Sequence, residues 1–412
     1  LCCCGDGHRS PRRRDRRACL ADRQRAVNPV YAGLGTTIFE RMSGLARAHG
    51  AINLGQGFPD GTGPEDVIRA AADALVTRSN QYPPMVGLPE LRDGIAAHYA
   101  RHHRLDADPA EEIVVTSGAT EGIAAALLAL VSPGDEVLLF EPLYDAYLPL
   151  VQRAGGAARV VRLQPPGWRI DADLLAAAFT PATRLVVLNN PLNPAGRVFD
   201  AGELALLAEA CVAHDVIAIS DEVWEHVVFD GARHLPLIAQ PGMRGRTVKI
   251  GSAGKIFSLT GWKVGWIVAA PELARGIARA HQFLTFTTPP NLQAAVAYGL
   301  AKPAAWFAAQ AAGYARAQDR LAAGLTARGY AVRPGEGTYF CTVDLTASGI
   351  ALDDAEYCER IVREAGVAAI PLSAFFGAGG PRHLVRLCFA KADATLDEAA
   401  ERLGGFRAAL AG

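Results

Sequence analysis

Lys255 stands in the run Gly251-Ser-Ala-Gly-Lys-Ile-Phe-Ser-Leu-Thr-Gly-Trp-Lys-Val-Gly-Trp266, among small residues, with Ser252 before it and a second cation, Lys263, after it. An amine in a tight turn beside apolar sequence suits a lysine that forms a Schiff base with a carbonyl. The small neighbours let a bulky planar group approach the backbone. Ser252 and Lys263 can both point at a phosphate. A lone lysine in a Gly/Ser loop is more often a surface residue, so the case depends on what converges on the same place.

Three further constellations qualify. Thr116-Ser-Gly-Ala-Thr-Glu121 offers small residues and free backbone N–H groups at the start of a helical pattern, an anion cradle or, more plainly, an N-cap. Asn190-Pro-Leu-Asn-Pro-Ala-Gly196 has two Asn-Pro steps that force extended or turn geometry and present Asn193. Ser220-Asp221-Glu-Val-Trp224 puts a carboxylate next to an apolar run. A buried carboxylate is costly unless paired, so Asp221 needs a cation, either a structural Arg or Lys or a protonated pyridine nitrogen.

The elements that hold these groups alternate. Strand patterns at Ile113–Thr116, Glu136–Phe140, Ala158–Leu163, Arg184–Asn189, Val216–Ser220, Thr247–Gly251 and Val264–Ala269 are separated by helical patterns such as Glu121–Val131, Leu174–Phe179 and Ala201–His214. Continuous apolar strands between helices predict a doubly wound α/β sheet. Ligands of such sheets bind beyond the carboxyl ends of the strands, where the cradle, Asn193, Asp221 and Lys255 all fall. Pyridoxal phosphate needs that set: anion donors at one end, a carboxylate at the ring nitrogen, a donor at the ring hydroxyl and an amine at the aldehyde.

A long helical pattern over Pro303–Arg328 leads to strand patterns at Tyr330–Pro334, Thr338–Val343 and His383–Phe389, with helices near Asp353–Ala365 and Thr395–Ala409. These predict a smaller α+β domain. The expected division is a tail over 1–28, an arm over 29–60 with helical character that packs on the small domain, a large domain over 61–302 and the small domain over 303–412. Within His383-Leu-Val-Arg-Leu-Cys-Phe389 a central Arg386 in an apolar strand calls for an anion; a substrate carboxylate fits its fork, and a structural ion pair is the alternative.

The chain has 412 residues, half of them hydrophobic and a fifth charged, with net charge −1. That size suggests more than one core, and the charge implies no nucleic-acid partner. No apolar run approaches the ~18 residues that cross a bilayer. The eight cysteines form no disulfide framework, which fits a cytoplasmic setting. The Arg-rich start reads as a disordered tail. Asp6, Asp15 and Asp22 oppose a transit peptide, and Cys2, Cys3, Cys4 and His8 lack metal-finger spacing; no metal site is expected.

Four phrases, Asn53-Leu-Gly-Gln-Gly-Phe-Pro-Asp60, Asn80-Gln-Tyr82, Asp221-Glu-Val223 and Ser252-Ala-Gly-Lys255, resemble the class I aminotransferases of the type I pyridoxal-phosphate fold. The likeness covers roughly residues 30–410 and is nearest the kynurenine, methionine, glutamine and succinyl-diaminopimelate aminotransferase branch. It implies a mostly parallel seven-stranded sheet domain with a smaller α+β domain. It implies a homodimer with shared sites that moves an amino group from an L-amino acid to a 2-oxo acid. Lys255 would form the imine with the cofactor and shuttle the proton; Asp221 would pair with the ring nitrogen, Asn193 would donate to the ring hydroxyl and contact substrate, and Tyr144 would stack on the ring. Gly118, Ala119, Thr120, Ser252 and Lys263 would hold the phosphate, with Tyr82 reaching it from the other subunit. Arg386 and Gly57 would take the substrate carboxylate, and Phe39 and Phe286 would shape its side-chain pocket.

The family usually has Tyr where this chain has Trp224, a change expected to raise the pKa of the lysine–cofactor imine. Thr287 stands where kynurenine aminotransferases carry a pocket His, which weakens transfer of their preference. Apolar, aromatic, Met or Gln donors, or succinyl-diaminopimelate, are the expected substrates. A C–S β-lyase on the same fold is the runner-up. A non-catalytic pyridoxal-phosphate-binding regulator is remote, because the N-terminal segment is too short for a DNA-binding domain.

Overall fold

A computed structural model describes residues 27–229 and 231–411. The Arg-rich segment expected to form a tail lies outside the described residues, apart from Val27 and Asn28. The segment ending at Thr37 is a unit by itself. Its one helical turn, Pro29–Ala32, is capped by Asn28 Oδ1, which accepts from the Val30 N–H at 3.0 Å. Residues from Ile38 onward form one compact unit.

That unit contains the strands β1 (Ile52–Asn53), β2 (Ile113–Thr116), β3 (Glu136–Glu141), β4 (Ala157–Arg162), β5 (Thr183–Asn189), β6 (Ile217–Asp221) and β7 (Thr247–Ser252). It continues with β8 (Gly265–Val268), β9 (Ala331–Arg333), β10 (Phe340–Asp344), β11 (Val367–Ala368), β12 (Ile370–Pro371) and β13 (Leu384–Cys388).

Seven strands make the main sheet, in the order β2-β8-β7-β6-β5-β3-β4. β2, β6 and β7 are buried along their whole length, or nearly so, as strands covered by helices on both faces must be. All are parallel except β8, which runs antiparallel to both β7 and β2. The alternating pattern had not distinguished this reversed strand from its neighbours. Asp221 is the last residue of β6 rather than the residue beyond it.

Register decides what meets at the carboxyl edge. Asn189 pairs with Asp221, and Asp221 with Ile250. Ser252 ends β7 opposite Gly265, and Gly265 also faces Thr116. Gly265 has to be glycine: a Cβ there would lie 2.7 Å from both the Ala119 nitrogen and the Gly118 carbonyl carbon. The reversed strand thus presses its backbone against the start of the Ala119–Leu130 helix.

A second sheet, β12-β13-β10-β9, is antiparallel. Its edge strand β12 and the separate parallel pair β1–β11 are too short to leave a periodic pattern. β13 is buried throughout and puts Arg386 opposite Thr342 and Ile370. The main chain before the Gly-rich loop is tied in by Leu54 N–H to Ala368 O, 3.0 Å, and Cys388 N–H to Leu54 O, 2.7 Å. The helix Ile38–His49 packs on the β11 and β12 region, and Ala304–Thr326 packs on Asp393–Ala411. The helix expected over 353–365 is Asp354–Arg360 followed by a π-helical turn, Ile361–Ala365.

Candidate active site

A cavity of about 260 Å³ opens at the carboxyl edge of the main sheet. Gly118, Ala119, Thr120, Tyr144, Asn193, Asp221, Trp224, Ser252, Lys255 and Lys263 all line it. These ten residues come from five stretches of chain, at the ends of β2, β3, β5, β6 and β7. Tertiary packing brings them together because each follows, or ends, a strand whose register is fixed by its neighbour.

Lys255 lies on the short helix Ala253–Ile256 directly after β7. Burial pulls its amine down to about 8, against the opposing pull of Asp221. Its Nζ is 4.8 Å from the centre of the Trp224 ring and 3.4 Å from the Tyr339 hydroxyl.

Asp221 is 5 % exposed. Burial raises its pKa, and hydrogen bonds from the Tyr147 hydroxyl and the Val223 N–H pull the other way. Among the described residues, no Arg, Lys or His forms an ion pair with it. A buried carboxylate facing a cavity with neutral partners only is a place for a cationic ring N–H.

At the other end, Gly118 has φ +79° and caps the twelve-residue helix Ala119–Leu130. The first N–H groups of that helix are free of intrahelical partners. The Lys263 side chain lies against Gly118, so that a Cβ at 118 would sit 3.2 Å from Lys263 Cε. Helix terminus, glycine backbone and ammonium together make an anion site. An anion cradle, a buried amine and a carboxylate without an ion-pair partner among the described residues, all around one cavity, fit pyridoxal phosphate.

Arg386 is 2 % exposed, and no carboxylate among the described residues is bonded to it. Nη1 donates to Asn193 Oδ1 at 3.0 Å and Nη2 to the Gly55 carbonyl at 2.6 Å, while Nε has no partner. Phe340, Phe375 and Phe39 surround the guanidinium at 3.9, 5.2 and 5.3 Å. Burial drops its pKa to about 10. Among the described residues it forms no ion pair, although the Asp145 carboxylate acts on it electrostatically, and its charge is left for an anion to meet.

Not every expected residue lies on the cavity wall. Gly57 is tied to it through Tyr339, whose hydroxyl donates to the Gly57 carbonyl at 2.5 Å. Phe39 stands behind Arg386, edge-on to Phe375. Tyr82 is 83 % exposed and packs edge-on against Phe286, itself 38 % exposed, away from the cavity lining of this single chain. Asn193 accepts from Arg386 through Oδ1, and its own N–H donates to Asn189 Oδ1 at 2.8 Å.

Two residues were missed from the sequence. Tyr147 follows Tyr144 by three and begins the helix Tyr147–Ala154, a spacing that could have drawn attention to it. Asn189 ends β5 and donates through Nδ2 to the Asp221 carbonyl at 3.0 Å. Tyr339, which with Phe39, Phe340 and Phe286 suggests from the sequence either an aromatic pocket or core, stands beside the Lys255 amine. A buried ion cluster beside Asp221 also escaped notice: Lys249 Nζ bridges Glu222 at 3.0 Å and Glu225 at 2.7 Å. Glu222, Glu225 and His234 approach one another closely enough to hold a metal ion, but the Lys249 ammonium already supplies the cation.

Fold and site define a pyridoxal-phosphate enzyme of the type I aminotransferase architecture. A sequence profile of the family described as aminotransferase class I and II matches residues 49–403. The chain belongs to that family: it is an aminotransferase and depends on pyridoxal phosphate. It is 48% identical over 379 residues to the probable N-succinyldiaminopimelate aminotransferase DapC of Mycobacterium tuberculosis, covering 89% of this chain and 95% of the relative. It is 43% identical over 370 residues to the methionine aminotransferase of Escherichia coli, covering 90% and 96%. The solved structure of the N-succinyldiaminopimelate aminotransferase from Mycobacterium tuberculosis superposes with a TM-score of 0.90 over 92% of this chain and 100% of that one. None of these likenesses favours a C–S lyase.

Proposed function

We propose that the ten cavity residues divide the work of amino transfer as their positions suggest. Lys255 would hold the cofactor covalently, Asp221 would face its ring nitrogen, and Tyr144 would lie on its ring beside Trp224. Gly118, Ala119, Thr120, Ser252 and Lys263 would take its phosphate, and Asn193 its ring oxygen. Bound there, pyridoxal phosphate supplies an electron sink for the substrate carbon that loses a proton. Lys255 moves that proton. An amine pulled down to about 8 by burial keeps a usable free-base fraction at neutral pH. Arg386 fixes the substrate carboxylate and so orients the carbon–hydrogen bond toward Lys255. The closing of Phe39, Phe340 and Phe375 around the guanidinium keeps water from that ion pair.

The observation that carries this reading is a buried carboxylate, without an ion-pair partner among the described residues, sharing a cavity with a buried lysine amine. Borohydride treatment of the cofactor-loaded protein, followed by peptide mass spectrometry, should place the modification on residue 255. Modification elsewhere, or none, overturns it.

For the donor, the phenylalanines about Arg386 support an L-amino acid with an apolar or aromatic side chain, methionine included. The 48% identity to a relative named for N-succinyldiaminopimelate supports that substrate as a second reading. Rates for methionine, phenylalanine, leucine, glutamine and N-succinyldiaminopimelate with several 2-oxo acids decide between them. The same panel, with pyruvate and ammonia release from cysteine conjugates added, tests the lyase.

The proposal includes a homodimer in which Tyr82 reaches the phosphate of the second copy. Its support is the exposure of Val76, Tyr82 and Phe283, each more than four-fifths exposed in the single chain. Sedimentation should give twice the chain mass, and Tyr82→Phe should weaken cofactor binding. A large sheet domain and a smaller C-terminal domain divided near residue 303 belong to the same proposal. So does a cytoplasmic location, supported by the free, buried state of Cys211, Cys341, Cys358 and Cys388. No helix among the described residues is long and apolar enough to cross a membrane.

A further inference from the structure

Lys255 Nζ faces two aromatic side chains that meet at a right angle. The Trp224 and Tyr339 rings are 4.3 Å apart at 89°, and Nζ lies 4.8 Å from the first centroid and 5.8 Å from the second. Trp224 offers the amine a π face and no oxygen. Tyr339 offers an oxygen at 3.4 Å, a long contact of the kind that tightens in a reactive complex.

The Tyr339 hydroxyl is not free to choose its role. Its single proton goes to the Gly57 carbonyl at 2.5 Å, so toward Lys255 it can only accept. The ring is fully buried. Its backbone is fixed as well: Phe389 N–H donates to the Tyr339 carbonyl at 3.0 Å, and Thr338 before it has φ +66°. The oxygen is therefore a stationary acceptor.

We propose that Tyr339 is the positioning residue for Lys255, holding its amine against the Trp224 face through a phenol oxygen whose own proton is committed to Gly57. An acceptor and a π face both favour the charged amine over the neutral one. Tyr339 therefore sets the pH range in which Lys255 can take up and release a proton, as well as its direction. The other groups that act on the amine are Asp221 and Cys388, which favour its charge, and Arg386 and Lys263, which oppose it. Around Tyr339 itself stand Cys388, Tyr314 and Arg386. Tyr339 is not itself a lining residue of the cavity, and it meets the lining at Lys255 and at Trp224, so its contact with the reacting amine is the one tested below.

The inference rests on the assignment of Lys255 as the reacting amine, and its test is separate from the test of that assignment. The full chain, stripped of cofactor, is pulsed with acetic anhydride across pH 6 to 10, and acetylation of residue 255 is read by peptide mass spectrometry. In Tyr339→Phe the midpoint should move to lower pH, raising the reactive fraction at pH 7 about threefold. A purely structural role would lower the melting temperature and leave that midpoint in place, and an unmoved or raised midpoint overturns the proposal. Should Tyr339→Phe fail to fold, 3-fluorotyrosine at 339 keeps the ring and weakens the oxygen as an acceptor. It should shift the midpoint the same way by less, and an unchanged profile with it is equally fatal. Failure of borohydride trapping at 255 would sink the cofactor assignment without altering this readout.

Discussion

The Tyr147 phenol donates to Asp221 Oδ2 at 2.5 Å, joining the first residue of a helix to the last residue of β6. That bond helps keep a buried carboxylate ionised where the cofactor ring nitrogen is proposed to sit. Tyr147→Phe removes the donor and keeps the ring. Asp221, already raised by burial, then rises further, so the acidic limb of kcat/KM should move to higher pH. At pH 7 the loss should be about tenfold, equivalent to the ~1.5 kcal/mol of a hydrogen bond to a charged group. An unchanged pH profile would show that Tyr147 does not tune the carboxylate.

Arg386 divides its two terminal nitrogens between Asn193 and Gly55, and no acid among the described residues is bonded to it. Lysine cannot reproduce that fork. Arg386→Lys should raise KM for the amino donor on the order of 100-fold, the cost of an unmatched buried charge pair. Steady-state kinetics at saturating 2-oxo acid check this, and urea unfolding should show little loss of stability.

Gly57 has no room for a side chain. A Cβ there would lie 2.8 Å from Phe340 Cζ, and Phe340 is the ring nearest the Arg386 guanidinium. Gly57→Ala should push that ring off the cation, costing about 1–3 kcal/mol of stability and raising KM. A crystal structure of the variant with Phe340 unmoved would contradict this.

Trp224→Tyr replaces a π face beside Lys255 with a phenol. Since the indole face favours charge at Nζ, the absorbance titration of the cofactor-loaded variant should have a lower midpoint than wild type. Superimposable titrations would remove any electrostatic role for Trp224.

Stability should fall on mild acidification. His98 is fully buried, its Nε2 lies 2.7 Å from His226 Nε2, and burial pushes its pKa down to about 3. The unfolded chain takes up this proton near 6.5 and the folded chain does not. Stability is therefore full above about 6.5 and is lost as pH falls toward 3, at up to ~1.4 kcal/mol per unit. Glu222 adds to the loss at lower pH: burial opposes its charge, but Lys249 holds it down to about 2. Urea midpoints at several pH values measure the slope, which His98→Gln should flatten between pH 6.5 and 3.

The sheet, the order of its strands along the chain and four of the residues that line the cavity were legible because each is a local feature. Apolar runs bounded by helical patterns mark strands, and a doubly wound sheet places whatever follows them on one edge. Lys255, Asp221, Asn193 and the Gly118 turn are all read from the few residues around them. Helices such as Pro271–Leu284 and Pro290–Leu300 passed unremarked because the argument followed the strands, and β1, β11 and β12, two residues each, carry no period.

The sequence by itself therefore determined the candidate groups: an amine, a carboxylate and an anion cradle at strand ends of one sheet. Only the tertiary structure decided what tunes them. It turned β8 against its neighbours, set Tyr147 under Asp221, passed Arg386 to Gly55 and Asn193, and pinned Tyr339 between Gly57 and Lys255. Apart from the β7–β8 pairing, each of these links joins residues far apart in the chain. Their meeting depends on strand register and side-chain packing, and no spacing along the chain encodes either.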